Sequence, residues 1–272
     1  MYYEYYALKE NPFSITADPD FFFSSTRHME AFTHLAYGIR HRKGILAITG
    51  EIGTGKTTLC RMLLNRLDPS VKTALILNPN FSNVQLLKLI IQDLGIETKA
   101  RNRYDLIDAL NKFLIEQSSQ GHNVALIIDE AQNLRVNQLE QIRLLSNLET
   151  YKDKLLQIIL VGQPELLDKL KLTELRQLNQ RIAVRYHILP LDRKEVHDYI
   201  NHRLSIAFLG QKNRKQVHFT DKAVDNIFEN SKGTPRMVNI LCDRALLAGY
   251  TAETYTIDEH IIHRCVQEVV CK

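Results

Sequence analysis

Five short apolar runs punctuate the first two thirds of the chain: Ile45-Leu46-Ala47-Ile48-Thr49, Thr73-Ala74-Leu75-Ile76-Leu77, Val124-Ala125-Leu126-Ile127-Ile128, Leu156 to Val161, and Ile182 to Ile188. Each has the length of a strand, and continuous apolar runs suit parallel strands covered on both faces. Between them, helical spacing of apolar residues predicts helices at about 56–67, 82–94, 103–119, 135–149, 164–170 and 174–180. Strands alternating with helices predict an α/β domain around a five-stranded parallel sheet. Ahead of the first run, Met29, Phe32, Leu35, Ala36 and Ile39 recur at helical spacing over 25–42, with Ser24 or Ser25 as cap. Residues 1–24 carry aromatics around Pro12 and Pro19, including Phe13 and Phe21-Phe22-Phe23, and read as an extended arm packed onto the body.

The rhythm changes after Leu189-Pro190-Leu191. No strand pattern follows, and helical patterns occupy about 192–208, 220–231, 234–252 and 257–270. The expected organisation is therefore an α/β domain with its aromatic arm at 1–190 and a helical domain at 191–272.

The strongest chemical signal sits between the first strand and the helix after it. Gly50-Glu51-Ile52-Gly53-Thr54-Gly55-Lys56-Thr57-Thr58 matches G-x-x-x-x-G-K-[ST] in the strand–loop–helix context that the motif requires. Glycines let successive backbone N–H groups turn inward as an anion nest. The following helix adds the positive end of its dipole. Lys56 places a point charge against the β- and γ-phosphates, and the Thr57 hydroxyl is suited to Mg²⁺. Thr58 supports the helix start or the α-phosphate. The expected ligands are ATP and Mg²⁺.

The third strand closes on Asp129-Glu130, which puts two carboxylates at the carboxyl edge of the sheet, where open α/β sheets bind ligands. Asp129 is expected to hold Mg²⁺ through water, because Mg²⁺ gives up its waters reluctantly. Glu130 is expected to orient and deprotonate the attacking water. The bland alternative is a helix N-cap. Asn78 follows strand two and is a candidate to hydrogen-bond Glu130 and hold it from water. Gln163 follows strand four and is a candidate for the γ-phosphate or the water. Each has a plain alternative as a loop residue bonding local backbone.

Composition changes this picture little. Hydrophobic residues at 44% and charged residues at 24% are ordinary for a globular chain. The net charge of +4 permits nucleic acid or an anionic surface but does not argue for either. Basic clusters occur at Arg40-His41-Arg42-Lys43 and Lys212-Asn213-Arg214-Lys215, and read first as solvated charge. Cys60, Cys242, Cys265 and Cys271 form no C-x-x-C pair, and His260 and His263 lack a third ligand. The N-terminus MYYEYYALKENPF is not a signal peptide, and no apolar run approaches a membrane span. These features predict a cytoplasmic protein.

Together the motifs resemble the AAA+ ATPases, and within them the ATPase domain of the general secretion pathway protein A (ExeA-type) family. The resembling stretches are Asn11-Pro12-Phe13 with Asp18-Pro19, the loop 50–58, Asp129-Glu130-Ala131-Gln132-Asn133-Leu134, Leu144-Leu145-Ser146-Asn147-Leu148-Glu149, Val161-Gly162-Gln163-Pro164-Glu165-Leu166 and Gly233-Thr234-Pro235-Arg236. The resemblance implies a homo-oligomeric ring or filament, a helical lid, and work on a protein partner in secretion or envelope assembly. It implies sensor 1 at Gln163 and, at Arg236, a sensor-2 arginine reaching the γ-phosphate. It implies an arginine finger just ahead of strand five, at Arg181, with Arg185 as runner-up and Arg176 nearby. Secretion-type members continue into a membrane span and a peptidoglycan-binding domain, which would tie the chain to the inner face of the inner membrane; neither lies within these 272 residues. Related AAA+ regulators of transposition bind DNA, which is the alternative reading.

Overall fold

The structure, a computed structural model, describes residues 2–79, 81–210 and 215–270. Lys212, Asn213 and Arg214 of the second basic cluster, and Cys271, lie outside the described residues. In chain order the helices are α1 (Tyr2–Tyr5), α2 (Thr26–Arg40), α3 (Lys56–Arg66), α4 (Asn83–Asp93), α5 (Arg103–Ser119), α6 (Val136–Leu145), α7 (Glu165–Leu170), α8 (Arg176–Arg181), α9 (Arg193–Ala207), α10 (Asp221–Ser231), α11 (Pro235–Thr251) and α12 (Glu259–Val270). The strands are β1 (Ile45–Gly50), β2 (Val71–Ile76), β3 (Asn123–Ile128), β4 (Gln157–Gly162), β5 (Ile182–Ile188), β6 (His218–Phe219) and β7 (Thr256–Ile257). No helix of the described residues is long and apolar enough to cross a membrane.

Two compact units form: Thr26–Glu51 with Leu59–Ile188, and Met1–Ser25 with Ile52–Thr58 and Leu189–Lys272. The first holds a five-stranded parallel sheet in the order β2-β3-β4-β1-β5. Sequence and position agree strand by strand. Every residue of β1, β3 and β4 is buried, because these central strands are covered on both faces. The edge strands β2 and β5 instead alternate more and less exposed positions. Helix starts follow local chemistry: Ser82 and Gln85 form a reciprocal capping box at α4, and Asn102 accepts from the Asp105 N–H at α5.

The second unit corrects two expectations. The aromatic arm does not belong with the α/β body: Tyr6, Phe13 and Phe21 are buried in one apolar cluster with Val196, Val238, Leu241 and Leu246. The chain near α1 is also hydrogen-bonded to the end of α9, with Lys9 N–H donating to the Ala207 carbonyl (2.8 Å) and Leu209 N–H to that of Ala7 (3.0 Å). Buried Arg203 completes the anchor by donating to the carbonyls of Pro12 and Ser14 and to the Tyr199 hydroxyl. The region after 190 is also not purely helical, since β6 and β7 pair in parallel. Two residues per strand are too few for a period-2 pattern to register in a sequence.

Candidate nucleotide-binding site

Strand β1 delivers the chain to Gly50, and Glu51 to Gly55 turn it into α3, whose first residue is Lys56. Gly53 and Gly55 lie at φ of 80° and 91°, a region that side chains with a Cβ adopt only with strain. Thr54 is fully buried and Lys56 is 5% exposed. The first N–H groups of α3 have no partner within the helix, which makes its start a site for anions.

In the same unit the loop meets the start of α11. Pro235 occupies the first turn of that helix, where its missing N–H costs nothing. The Arg236 N–H donates to the Gly53 carbonyl (3.2 Å). A Cβ on Gly53 would stand 2.6 Å from the Arg236 Cβ and 3.2 Å from the Thr234 Cγ2. Gly53 is therefore a glycine for space as well as for conformation. The Arg236 side chain is exposed and forms no ion pair among the described residues.

In the other unit, the ends of β3, β4 and β1 are neighbours along the carboxyl edge of the sheet. At ~4.8 Å per strand, the ends of β3 and β1 are about 10 Å apart. Asp129 is 2% exposed, and its Oδ1 accepts from the Glu130 N–H (2.9 Å). Glu130 has a left-handed backbone, φ 52°, uncommon for a residue with a Cβ and concentrated at functional sites. Two amides converge on its Oε2: Gln163 Nε2 at 3.2 Å and Gln132 Nε2 at 2.5 Å. The Gln163 N–H in turn donates to Gln132 Oε1 (3.0 Å).

Among the described residues no hydrogen bond joins Asn78 to Glu130. The β2–β3 ladder reaches Ile76, whose carbonyl accepts from the Asp129 N–H (2.8 Å). Beyond it Leu77 and Asn78 leave the sheet, both exposed, and line a surface pocket with Phe81 and Leu89. Arg181 is the last residue of α8 and donates to Ser146 Oγ (3.1 Å) and to Asn147 Oδ1. Arg185 instead donates to the carbonyl and side chain of Asn179. The hydrogen bond from Lys154, with Arg181 as a weaker influence, holds the Glu149 carboxyl below its ordinary range.

Residues 39–170 match the family model described as AAA domain. The chain carries an AAA domain. It is 40% identical over 270 residues to General secretion pathway protein A of Aeromonas hydrophila, covering 99% of this chain and 48% of that protein. The chain thus spans about half the length of this curated relative. Around the AAA domain the fold is also that of the Aeropyrum pernix ORC2 protein, solved in ADPNP–ADP complexes, with a TM-score of 0.67 at 17% identity over 92% of this chain and 71% of that one. Drosophila ORC, solved bound to DNA, gives 0.67 at 16% identity over 96% and 67%. The Thermotoga maritima RuvB branch migration motor gives 0.55 at 18% identity over 94% and 73%. At such identities these likenesses show the P-loop ATPase fold alone.

Two residues of the AAA domain escaped sequence reasoning. Gln132 lies two positions after Glu130 inside a stretch already singled out, yet spacing alone did not assign it to the carboxylate. Lys169, in α7, donates to the carbonyls of Gln132 (2.5 Å) and Leu134 (2.8 Å) and staples the turn after β3. Only the adjacency of β3 and β4 identifies them.

Proposed function

We propose that this chain binds ATP with Mg²⁺ and hydrolyses it to ADP and phosphate, and that the cycle assembles or remodels a protein complex in general secretion or envelope assembly. The observation that carries the reading is the left-handed Glu130 at the end of β3, its carboxylate held by Gln163 and Gln132, in a chain whose phosphate loop opens α3 with buried Lys56. The similarity to General secretion pathway protein A supports the choice of partner. ATP supply puts this work in the cytoplasm, with a homo-oligomer as the working form.

In this reading Lys56 and the loop 50–58 hold the phosphates. Among the described residues no cluster of His, Cys, Asp and Glu could hold a metal alone. The hydroxyl of Thr57 and the carboxylate of Asp129 are nevertheless the hard oxygen donors that Mg²⁺ takes when phosphates and water complete its shell. When bound, the ion would neutralise charge on the phosphates. Glu130 takes a proton from water as the water oxygen bonds to the γ-phosphorus. The bond from that phosphorus to the bridging oxygen breaks, and ADP leaves with the electron pair. Gln163 orients Glu130, and Arg236, beside Gly53, meets the γ-phosphate.

Nucleotide affinity and phosphate release test this directly. Lys56→Ala loses tight ATP binding, whereas Glu130→Gln keeps binding and stops turnover, because an amide is no base. Arg236→Ala slows hydrolysis more than it weakens ADP binding. Normal hydrolysis by Glu130→Gln would overturn the assignment of the base.

A further inference from the structure

The turn after β3 contains a side chain whose two ends meet two different functional groups. Gln132 Nε2 donates to Glu130 Oε2 (2.5 Å), and its Oε1 accepts from the Gln163 N–H (3.0 Å). The chemistry of the two partners leaves one orientation for the amide. A backbone N–H can only donate and a carboxylate can only accept, so the residue between them must present one acceptor and one donor. Glutamine does this at the reach required. Glutamate would set an acceptor against an acceptor, and methionine would leave both partners unanswered.

The clamp is itself held. Lys169 fixes the Gln132 and Leu134 carbonyls, and Gly162 lies close against the amide: a Cβ there would stand 2.9 Å from Gln132 Oε1 and 3.3 Å from Gln132 N. Glu130 needs such a support, because its left-handed backbone persists only where surroundings over-determine it. Both amides choose Oε2, and Oε1 accepts no hydrogen bond among the described residues. One carboxylate oxygen is thus anchored and the other is left to accept a proton.

We infer that Gln132 is a positioning residue for hydrolysis, holding Glu130 aimed through Oε2 while tying it to the Gln163 backbone. The inference rests on the reading of Glu130 as the base. It adds a requirement that this reading lacks: the donor at position 132 governs turnover but not nucleotide binding.

The experiment measures kcat and KM for ATP, together with affinity for a fluorescent non-hydrolysable ATP analogue. The proteins are wild type, Gln132→Met, Gln132→Glu and Gly162→Ala, with folding checked by circular dichroism. Gln132→Met lowers kcat roughly 10-fold or more, as expected when a reacting group loses its orientation, and leaves KM and analogue affinity within about 2-fold. Gln132→Glu lowers kcat at least as far, since it sets an acceptor against the Glu130 carboxylate, again with KM and analogue affinity little changed. Gly162→Ala, which pushes on the amide from β4, lowers kcat in the same way. If Gln132→Met fails to fold, the other two variants carry the test. Wild-type kcat in the Gln132 variants would overturn the inference and leave the ATPase reading intact. So would a fall in kcat matched by an equal loss of analogue affinity, which marks a structural prop. A wild-type chain without turnover, or normal hydrolysis by Glu130→Gln, would remove the base reading and this inference with it.

Discussion

Gly233 has no room for a methyl group. Its φ is 72°, and a Cβ would come 1.8 Å from the Leu191 carbonyl oxygen, while the Leu191 N–H donates to the Gly233 carbonyl (2.9 Å). The preceding Lys232 is also left-handed, at φ 51°, so the turn between α10 and α11 depends on two such residues in succession. It sets the register of Thr234, Pro235 and Arg236 against Gly53 in the phosphate loop. Gly121 provides the contrast, with φ 79° and nothing within 4 Å of its would-be Cβ. Alanine at 121 therefore carries only the left-handed penalty of about 1–2 kcal/mol. Alanine at 233 adds a backbone clash and costs about 2 kcal/mol more than at 121. Urea unfolding of the two variants measures the difference, and equal losses would show that Leu191 yields without cost.

Helix α9 ties the aromatic arm to its unit, and one of its ties titrates. His202 Nε2 donates to the Phe22 carbonyl (3.2 Å), and its ring lies 5.5 Å from that of Phe23. Burial pulls His202 below its ordinary value of 6.5, against the opposing pull of that carbonyl. The neutral ring is thus the form that the fold prefers, and the unfolded chain takes up the proton first as pH falls. The stability linked to this group is fully present above about pH 6.5 and is lost as pH drops through the lower folded value. His202→Gln should flatten this dependence. Urea midpoints at pH 7.5 and 5.5 for both proteins measure it, and an identical slope would remove His202 as a cause. A different device acts on strand β2, where Asp93 of α4 accepts from the Leu75 N–H (2.6 Å) and covers part of an open sheet edge.

At the scale of the assembly, we propose that Arg181 acts on a neighbouring copy of the chain. Its partners Ser146 and Asn147 are neutral, and among the described residues it forms no ion pair. The guanidinium is therefore oriented by neutral hydrogen-bond partners. Arg185 is instead tied back to Asn179, which makes it the weaker candidate. A fixed guanidinium entering the adjacent site is worth up to ~10³-fold or more in phosphoryl transfer. Arg181→Ala and Lys56→Ala proteins should each be inactive alone, and their mixture should regain activity where an intact site meets an intact finger. Full activity of Arg181→Ala alone would exclude it from the mechanism.

The chain's own pattern determined the five parallel strands, because fully apolar runs such as Ile45 to Ile48 and Val124 to Ile128 are stable only when covered on both faces. It also determined the phosphate loop, whose glycines, lysine and threonine are contiguous and act through a local strand–loop–helix turn. The arrangement around Glu130 came only from tertiary structure. Gln132 and Gln163 are far apart in sequence and meet through the pairing of β3 with β4. The aromatic arm was misplaced for the same reason. Tyr6, Phe13 and Phe21 declare that they are buried, but apolar burial is non-directional. Which core they joined was decided by Arg203 and the backbone bonds at Ala207 and Leu209, some two hundred residues away.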